Sequence, residues 1–265
     1  MKEKLEIILD KIHMYNTGNM SYENFGLDAS VEYDALVIAP GWKPTKIIAD
    51  PSFAVTTLTV HSYISGYLIE KEGLKIAWIQ IASGACNLLD HMVICGELRF
   101  KKVTFVGAVG SLKKELKVGD LCTPSYSIAG VYANAYLCDR LKDYRPFDKV
   151  MPNDESYVNK VISLAKKNGC KIKKASVYCT DSIALEYSHI DEIQSFNTDL
   201  IEMETSTFYS VAALLEVPAI ALLIVSDNLA SGHALVGRSD ELQNKYNYGR
   251  KTIIPDLIFK IAKET

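Results

Sequence analysis

The chain has 265 residues, 48% of them hydrophobic and 23% charged, with a net charge of −3 and a pI near 6.0. That balance describes a globule able to bury a large core, and it lacks the basic footprint that a nucleic-acid partner requires. The longest apolar run, residues 217–225, is far too short to span a bilayer, so no membrane partner is expected.

The opening MKEKLEIILDKIH is charged throughout, unlike a signal peptide, and predicts an amphipathic helix with Leu5, Ile8, Leu9 and Ile12 on one face. Residues 14–32 are polar and turn-rich and are expected to form a surface arm. DALVIA, residues 34–39, predicts the first buried strand, ending at Pro40-Gly41. A glycine there suits either a close backbone approach to a ligand or a simple tight turn. Strands are predicted over 53–60 and 65–67, a hairpin turn at Glu72-Gly73, and a buried strand over 75–81. The small-residue loop Ala82-Ser83-Gly84-Ala85 leads to a helix over about 87–98, a setting in which helix amides bind anions. A strand over 102–106 ends in Gly107-Ala108-Val109-Gly110-Ser111, whose spacing fits neither a phosphate loop nor a dinucleotide fingerprint.

Residues 125–152 read as an irregular aromatic insertion, suited to a substrate mouth or a subunit contact. A helix over about 154–167, acidic at its start and followed by Gly169, precedes a strand over 173–179 and Thr180-Asp181-Ser182. Glu202-Met203-Glu204 then open an apolar helix that stops before Pro218. Residues 219–225 predict a buried strand terminating in Ser226-Asp227-Asn228, and ligands of open α/β sheets bind outside such strand ends. Each acid alone has a plain structural explanation, in the helix dipole for Glu202 and Glu204 and in turn capping for Asp227. Residues 229–250, with Gly232, His233, Gly237 and Arg238, read as a polar lid, and a last helix runs to about 263.

Strands alternating with helices predict one α/β domain over 1–265, a three-layer α/β/α sandwich around a central mixed β-sheet. Its core is expected at 34–250, with a helix and arm at 1–32 and a C-terminal helix at 251–265. Six cysteines without a CxxC pair suggest reduced core thiols in a cytoplasmic protein. Five scattered histidines show no ligand spacing, and no metal is expected.

The succession of E-M-E, helix, buried strand and S-D resembles the nucleoside phosphorylase family, the uridine and purine nucleoside phosphorylases and their nucleosidase cousins. LKVGDLCTPS, with Gly119-Asp120, matches the family's L-x-x-G-D segment, and the likeness covers about residues 34–250. It implies cleavage of a nucleoside's N-glycosidic bond. In that reading Glu204, with Met203 and Glu202, holds the ribose, because a carboxylate accepts two hydroxyl hydrogen bonds. Asp227 is the general acid for the leaving base and Arg238 orients it, the two forming the catalytic set. The implied base site is Asp181, Ile183, Ile201, Ser226 and Asp227, with Ile183 where the family has an aromatic, and the S-D pair tilts the substrate toward purines. Gly41, Gly107 and Ala108 fall in the family's phosphate site, but its arginines are replaced. The first loop carries Trp42 and Lys43 instead, Phe105 stands on the strand, and Ala108 replaces a serine. Lys43, Lys46 and His61 are the expected substitute cations.

The resemblance thus implies a phosphorylase releasing free base and ribose 1-phosphate, with inorganic phosphate as co-substrate and no cofactor. A water-using nucleosidase, without the cousins' first-loop glutamate, and a non-catalytic nucleoside-binding protein are the alternatives. A homo-oligomer (dimer, trimer or hexamer) is also implied.

Overall fold

The computed structural model describes residues 2–264. The first position of the segment expected at 1–32 and the last of that expected at 251–265 lie outside the described residues. In chain order, helices α1 (Lys2–Tyr15) and α2 (Met20–Phe25) precede the short strand β1 (Glu32–Tyr33) and the first core strand, β2 (Ala35–Pro40). A one-turn helix, α3 (Pro44–Ile47), leads to the meander β3 (Ala54–Val60), β4 (Ser65–Lys71) and β5 (Leu74–Ile81), and then to α4 (Ala85–Ile94). Strands β6 (Arg99–Phe100), β7 (Val103–Ser111), β8 (Leu121–Gly130) and β9 (Lys149–Val150) follow. Next come α5 (Glu155–Lys167), β10 (Ile172–Thr180), α6 (Ile190–Ser195), β11 (Leu200–Glu202) and α7 (Thr205–Leu215). Strand β12 (Ala219–Asn228) and helices α8 (Asp240–Tyr248) and α9 (Ile254–Lys263) close the series.

The sheet runs β11-β10-β8-β12-β7-β2-β5-β4-β3, with β9 added beside β8. It is mixed. The pairs β2/β5, β2/β7, β7/β12 and β8/β10 are parallel, whereas β3/β4, β4/β5 and β8/β12 are antiparallel. Because strand side chains alternate between faces, Leu36 and Ile38 of β2 pack into one core while Ala35, Val37 and Ala39 pack into the other. The first core takes Leu88 and Met92 of α4, Phe208 and Val211 of α7, and the partly buried Leu5, Ile8 and Ile12 of α1. The second takes Val158 and Val161 of α5 and Leu257, Ile258 and Ile261 of α9. A sheet buried on both faces reads as continuous apolar runs, which is why residues 35–39 and 219–225 look hydrophobic throughout.

Several boundaries differ from expectation. The segment at 14–32 is not an exposed arm: α2 lies within it, and Phe25 and Leu27 are fully buried. The aromatic insertion is regular at its start, because β8 extends to Gly130. Residues 107–111 belong to strand β7 rather than to a loop, and Ser226-Asp227-Asn228 continue β12. At 125–130, 107–111 and 226–228, pairing to a neighbouring strand overrides small or polar residues that read locally as a strand end. The expected lid ends in helix α8, which runs into α9 through a wide turn at Gly249–Ile253.

One further pairing builds the site. Strand β11 bonds β10 on one side and β7 on the other, antiparallel, so β7, β12, β8, β10 and β11 close into a small barrel. That closure brings Glu202-Met203-Glu204 to the ends of β7 and β12.

Candidate active site

Gly110 shows how closely the strands meet. It pairs with Ile201 of β11 and with Asp227 of β12. A Cβ there would lie 3.0 Å from Asp227 Oδ2 and 3.1 Å from Ile201 Cγ2, so a side chain would push one of them aside. Around this junction is a cavity of about 200 Å³. Its wall is Pro40 at the end of β2 and Trp42 beyond it, Ser83 before α4, Phe105 and residues 107–110 of β7, and Ile201 to Glu204. Thr180 at the end of β10, Ile183 and Glu186 beyond it, Ser226 and Asp227 of β12, and Leu235 complete it.

The two glutamates of E-M-E do different work. Glu202 caps its own helix: its carboxylate accepts from the Glu204 amide at 2.7 Å, the Thr205 amide at 3.0 Å and the Thr205 hydroxyl at 2.8 Å. The Cys179 thiol donates to it as well, at 2.9 Å. These are the free N–H groups of a helix start, which a carboxylate satisfies well. Expected among the ribose ligands, Glu202 lines the cavity but has both oxygens bonded to protein donors. Burial, then the nearby Glu202 charge, raises the Cys179 thiol well above its ordinary range, so it serves as a neutral donor and not as a nucleophile.

Glu204 occupies the N-cap position of α7 without capping it. Its side chain instead accepts from the Gly84 amide at 2.6 Å, at the start of α4. Burial, and next the charge of Glu202, pushes the Glu204 carboxyl up to about 8. Met203 lines the cavity beside it.

Asp227 owes its direction to a β-bulge between Val225 and Asp227 in the pairing with β7. Its Oδ1 accepts from the Ser226 hydroxyl at 2.6 Å. Burial raises its carboxyl, while the Ser226 bond and the Arg238 charge pull the other way. Arg238 donates to the Ser226 carbonyl at 2.7 Å and lies 4.5 Å over the Tyr246 ring, behind the wall and not on it. Ile183, Ile201 and Ser226 of the expected base site also line the cavity.

Other expected residues lie elsewhere. Asp181 is exposed, off the wall, and accepts from the Tyr132 amide at 3.2 Å. Gly41 turns the chain after β2 with φ 68 and is not a wall residue. Lys43 starts α3, Lys46 is exposed in it, and neither reaches the wall. His61 is exposed, its Nε2 3.2 Å from the Glu23 carbonyl. Of the expected phosphate set only Gly107 and Ala108 line the cavity. Nearness in sequence to the family's arginine positions singles out these lysines and this histidine, but the fold places all three off the cavity wall. Phe105 is 1% exposed and packs against Phe208, filling the β7 wall with hydrocarbon.

Glu186 also lines the cavity, and no spacing in the sequence sets it apart. It is half-buried, and its carboxyl is raised to about 7 by burial and then by the charge of Asp227. Among the described residues, the wall thus carries four carboxyl groups (Glu186, Glu202, Glu204 and Asp227) and no lysine, arginine or histidine.

Comparison with known proteins agrees with this frame. A purine nucleoside phosphorylase of the DeoD type from Bacillus velezensis is 28% identical over 127 residues, 48% of this chain and 52% of that protein. The chain spans about half the length of the curated relatives it matches. Among solved structures, the 5′-methylthioadenosine/S-adenosyl homocysteine nucleosidase of Campylobacter jejuni superposes with a TM-score of 0.68 at 18% identity, covering 87% of this chain and 99% of that one. A P. knowlesi homologue of the P. falciparum PNP gives 0.66 at 14% identity, covering 90% and 93%. The family model of the phosphorylase superfamily matches residues 76–252, from β5 to the start of the last helix. The chain therefore belongs to the phosphorylase superfamily.

Proposed function

We propose that the cavity binds a purine nucleoside and cleaves its N-glycosidic bond with water as the acceptor. The observation that carries this reading is the charge of the wall: four carboxyl groups and, among the described residues, no cation. Phosphate is held by guanidinium or ammonium groups, and the described wall residues supply neither. The same wall suits a sugar in transition. As the bond breaks the ribose gains oxocarbenium character, and the hydrogen-bonded Glu202 carboxylate on the wall favours such a cation.

The remaining roles follow from placement. Glu204 accepts hydrogen bonds from the ribose hydroxyls, with Met203 against the sugar. Asp227, its carboxyl raised by burial, donates a proton to the purine as the base departs. Arg238 fixes the Ser226 carbonyl and so the strand segment that aims Asp227. The sugar cation is strongly electrophilic, and its capture by water demands little base strength.

Phosphorolysis is the second reading, favoured by the likeness to the DeoD-type phosphorylase. It requires cations lent by a second copy in a homo-oligomer. The two are separated by base release from adenosine, inosine and uridine, with and without phosphate, followed by chromatography. Release from the purine nucleosides at equal rates with and without phosphate supports hydrolysis. A strict phosphate requirement replaces it with phosphorolysis, and binding without release makes the protein a nucleoside-binding module.

A further inference from the structure

The nucleoside cavity is small. At about 200 Å³ it falls below the roughly 300–1,000 Å³ of ordinary small-molecule sites. It is not closed at the Asp227 end. A second chamber of about 610 Å³ shares Ile183, Glu186, Ile201, Asp227 and Leu235 with it. Beyond that shared wall the chamber is mostly apolar, with Leu112, Tyr187, Ile190 and Val236 among its residues. Tyr187 is 50% and Val236 85% exposed, so this is hydrocarbon that the fold itself leaves uncovered. The two carboxyl groups of Glu186 and Asp227 stand where the chambers join.

We infer that the preferred ligand is a 6-aminopurine nucleoside bearing an apolar substituent on its exocyclic nitrogen, with Glu186 and Asp227 together reading the edge of the base. The inference rests on the nucleoside reading above and adds the substrate class. A 6-aminopurine presents an acceptor, N7, next to a donor, the exocyclic N–H. Two neighbouring carboxyl groups holding one proton between them offer the complement: the protonated one donates to N7 and the ionised one accepts from N–H. Burial raises both groups, and the Asp227 charge raises Glu186 further, which favours one proton shared between them. A 6-oxopurine presents two acceptors on that edge and leaves the ionised carboxylate facing an oxygen. A secondary amine at position 6 keeps one N–H for Glu186, and its substituent enters the apolar chamber.

Isothermal titration of the wild-type protein with adenosine, N6-benzyladenosine and inosine tests this. Burial of the benzyl group is expected to tighten binding at least about tenfold over adenosine, and inosine is expected to bind about tenfold more weakly than adenosine. Ala184→Trp fills the second chamber from an exposed position that the nucleoside cavity does not touch, and should remove most of the benzyl preference. Glu186→Gln supplies an amide N–H to a 6-oxo group and should shrink the preference for adenosine over inosine. Equal or weaker binding of N6-benzyladenosine overturns the inference while leaving the nucleoside reading intact, as does a benzyl preference that survives Ala184→Trp. Equal binding of adenosine and inosine by the wild type overturns the part given to Glu186. Failure of all three nucleosides to bind overturns both readings.

Discussion

Along one side of the cavity, carboxyl groups are mounted on backbone scaffolds: Glu202 on the amides of α7, Glu204 on the Gly84 amide, and Asp227 on a bulged strand beside Ser226. Along the β2 and β7 side, the wall is Trp42, Phe105 and Ala108, with hydrocarbon and indole in place of charge. The backbone frame is one and the same. Strand pairing, barrel closure and the glycine at 110 set where side chains stand, and the identity of each side chain sets what the wall can hold. One backbone frame can therefore carry acids on one wall and hydrocarbon on the other.

That comparison can be broken in several ways. The largest effect is expected from Asp227→Asn, which removes the proton donor on the acidic side. Turnover should fall about 10²–10⁴-fold with little change in nucleoside affinity, and unchanged kcat would end the acid role. Glu202→Ala strips three hydrogen bonds from the start of α7 and a fourth from the Cys179 thiol, and leaves the helix amides buried. A loss of about 3 kcal/mol in urea unfolding is expected, whereas a variant as stable as wild type would return Glu202 to the ligand set. Glu204→Ala should weaken nucleoside binding about 100-fold with a smaller cost in stability, seen by titration against adenosine and free adenine. Equal affinity for the two in the wild type would remove Glu204 from ribose recognition.

The acidic side should also respond to pH. Glu204 at about 8 and Glu186 at about 7 stand above an ordinary glutamate near 4.5, so the folded chain binds more protons than the unfolded one in this window. Stability from these groups is full below about pH 4.5 and is lost as pH rises through 7 and 8. Melting temperature should therefore drop between about pH 5.5 and 8.5, and Glu204→Gln should flatten the decline. A melting temperature that rises over that range would contradict the buried, proton-holding state of these acids. The smallest effect is expected at the other wall. Lys43→Ala should change base release less than about twofold at any phosphate concentration, since Lys43 lies off the cavity. A raised KM for phosphate would instead restore the phosphorolytic reading.

Much of this was legible in the chain. The apolar runs at 35–39 and 219–225 announce strands buried on both faces, and the order of strands and helices announces an α/β sandwich. E-M-E and S-D point to the acids that meet at the cavity, because local sequence places each at the end of a strand or the start of a helix. The opposed roles of Glu202 and Glu204 could not be read there. Two glutamates one residue apart look equivalent, and only the amide each one reaches tells them apart. Lys43, Lys46 and His61 were legible as charges but not as directions.

Periodicity thus determined the elements and their layering, because helix and strand patterns are set by residues close together in the chain. The superfamily frame was legible only through the E-M-E, S-D and L-x-x-G-D motifs. Tertiary structure alone decided the rest. Barrel closure through the β11–β7 pair joins residues about ninety apart. The bulge at Asp227 turns a carboxyl into the cavity, and Glu186 enters from the first turn of a short 3-10 helix (Glu186–His189) with no signature to mark it. The charge of a cavity wall belongs to no segment. It exists only once distant segments meet.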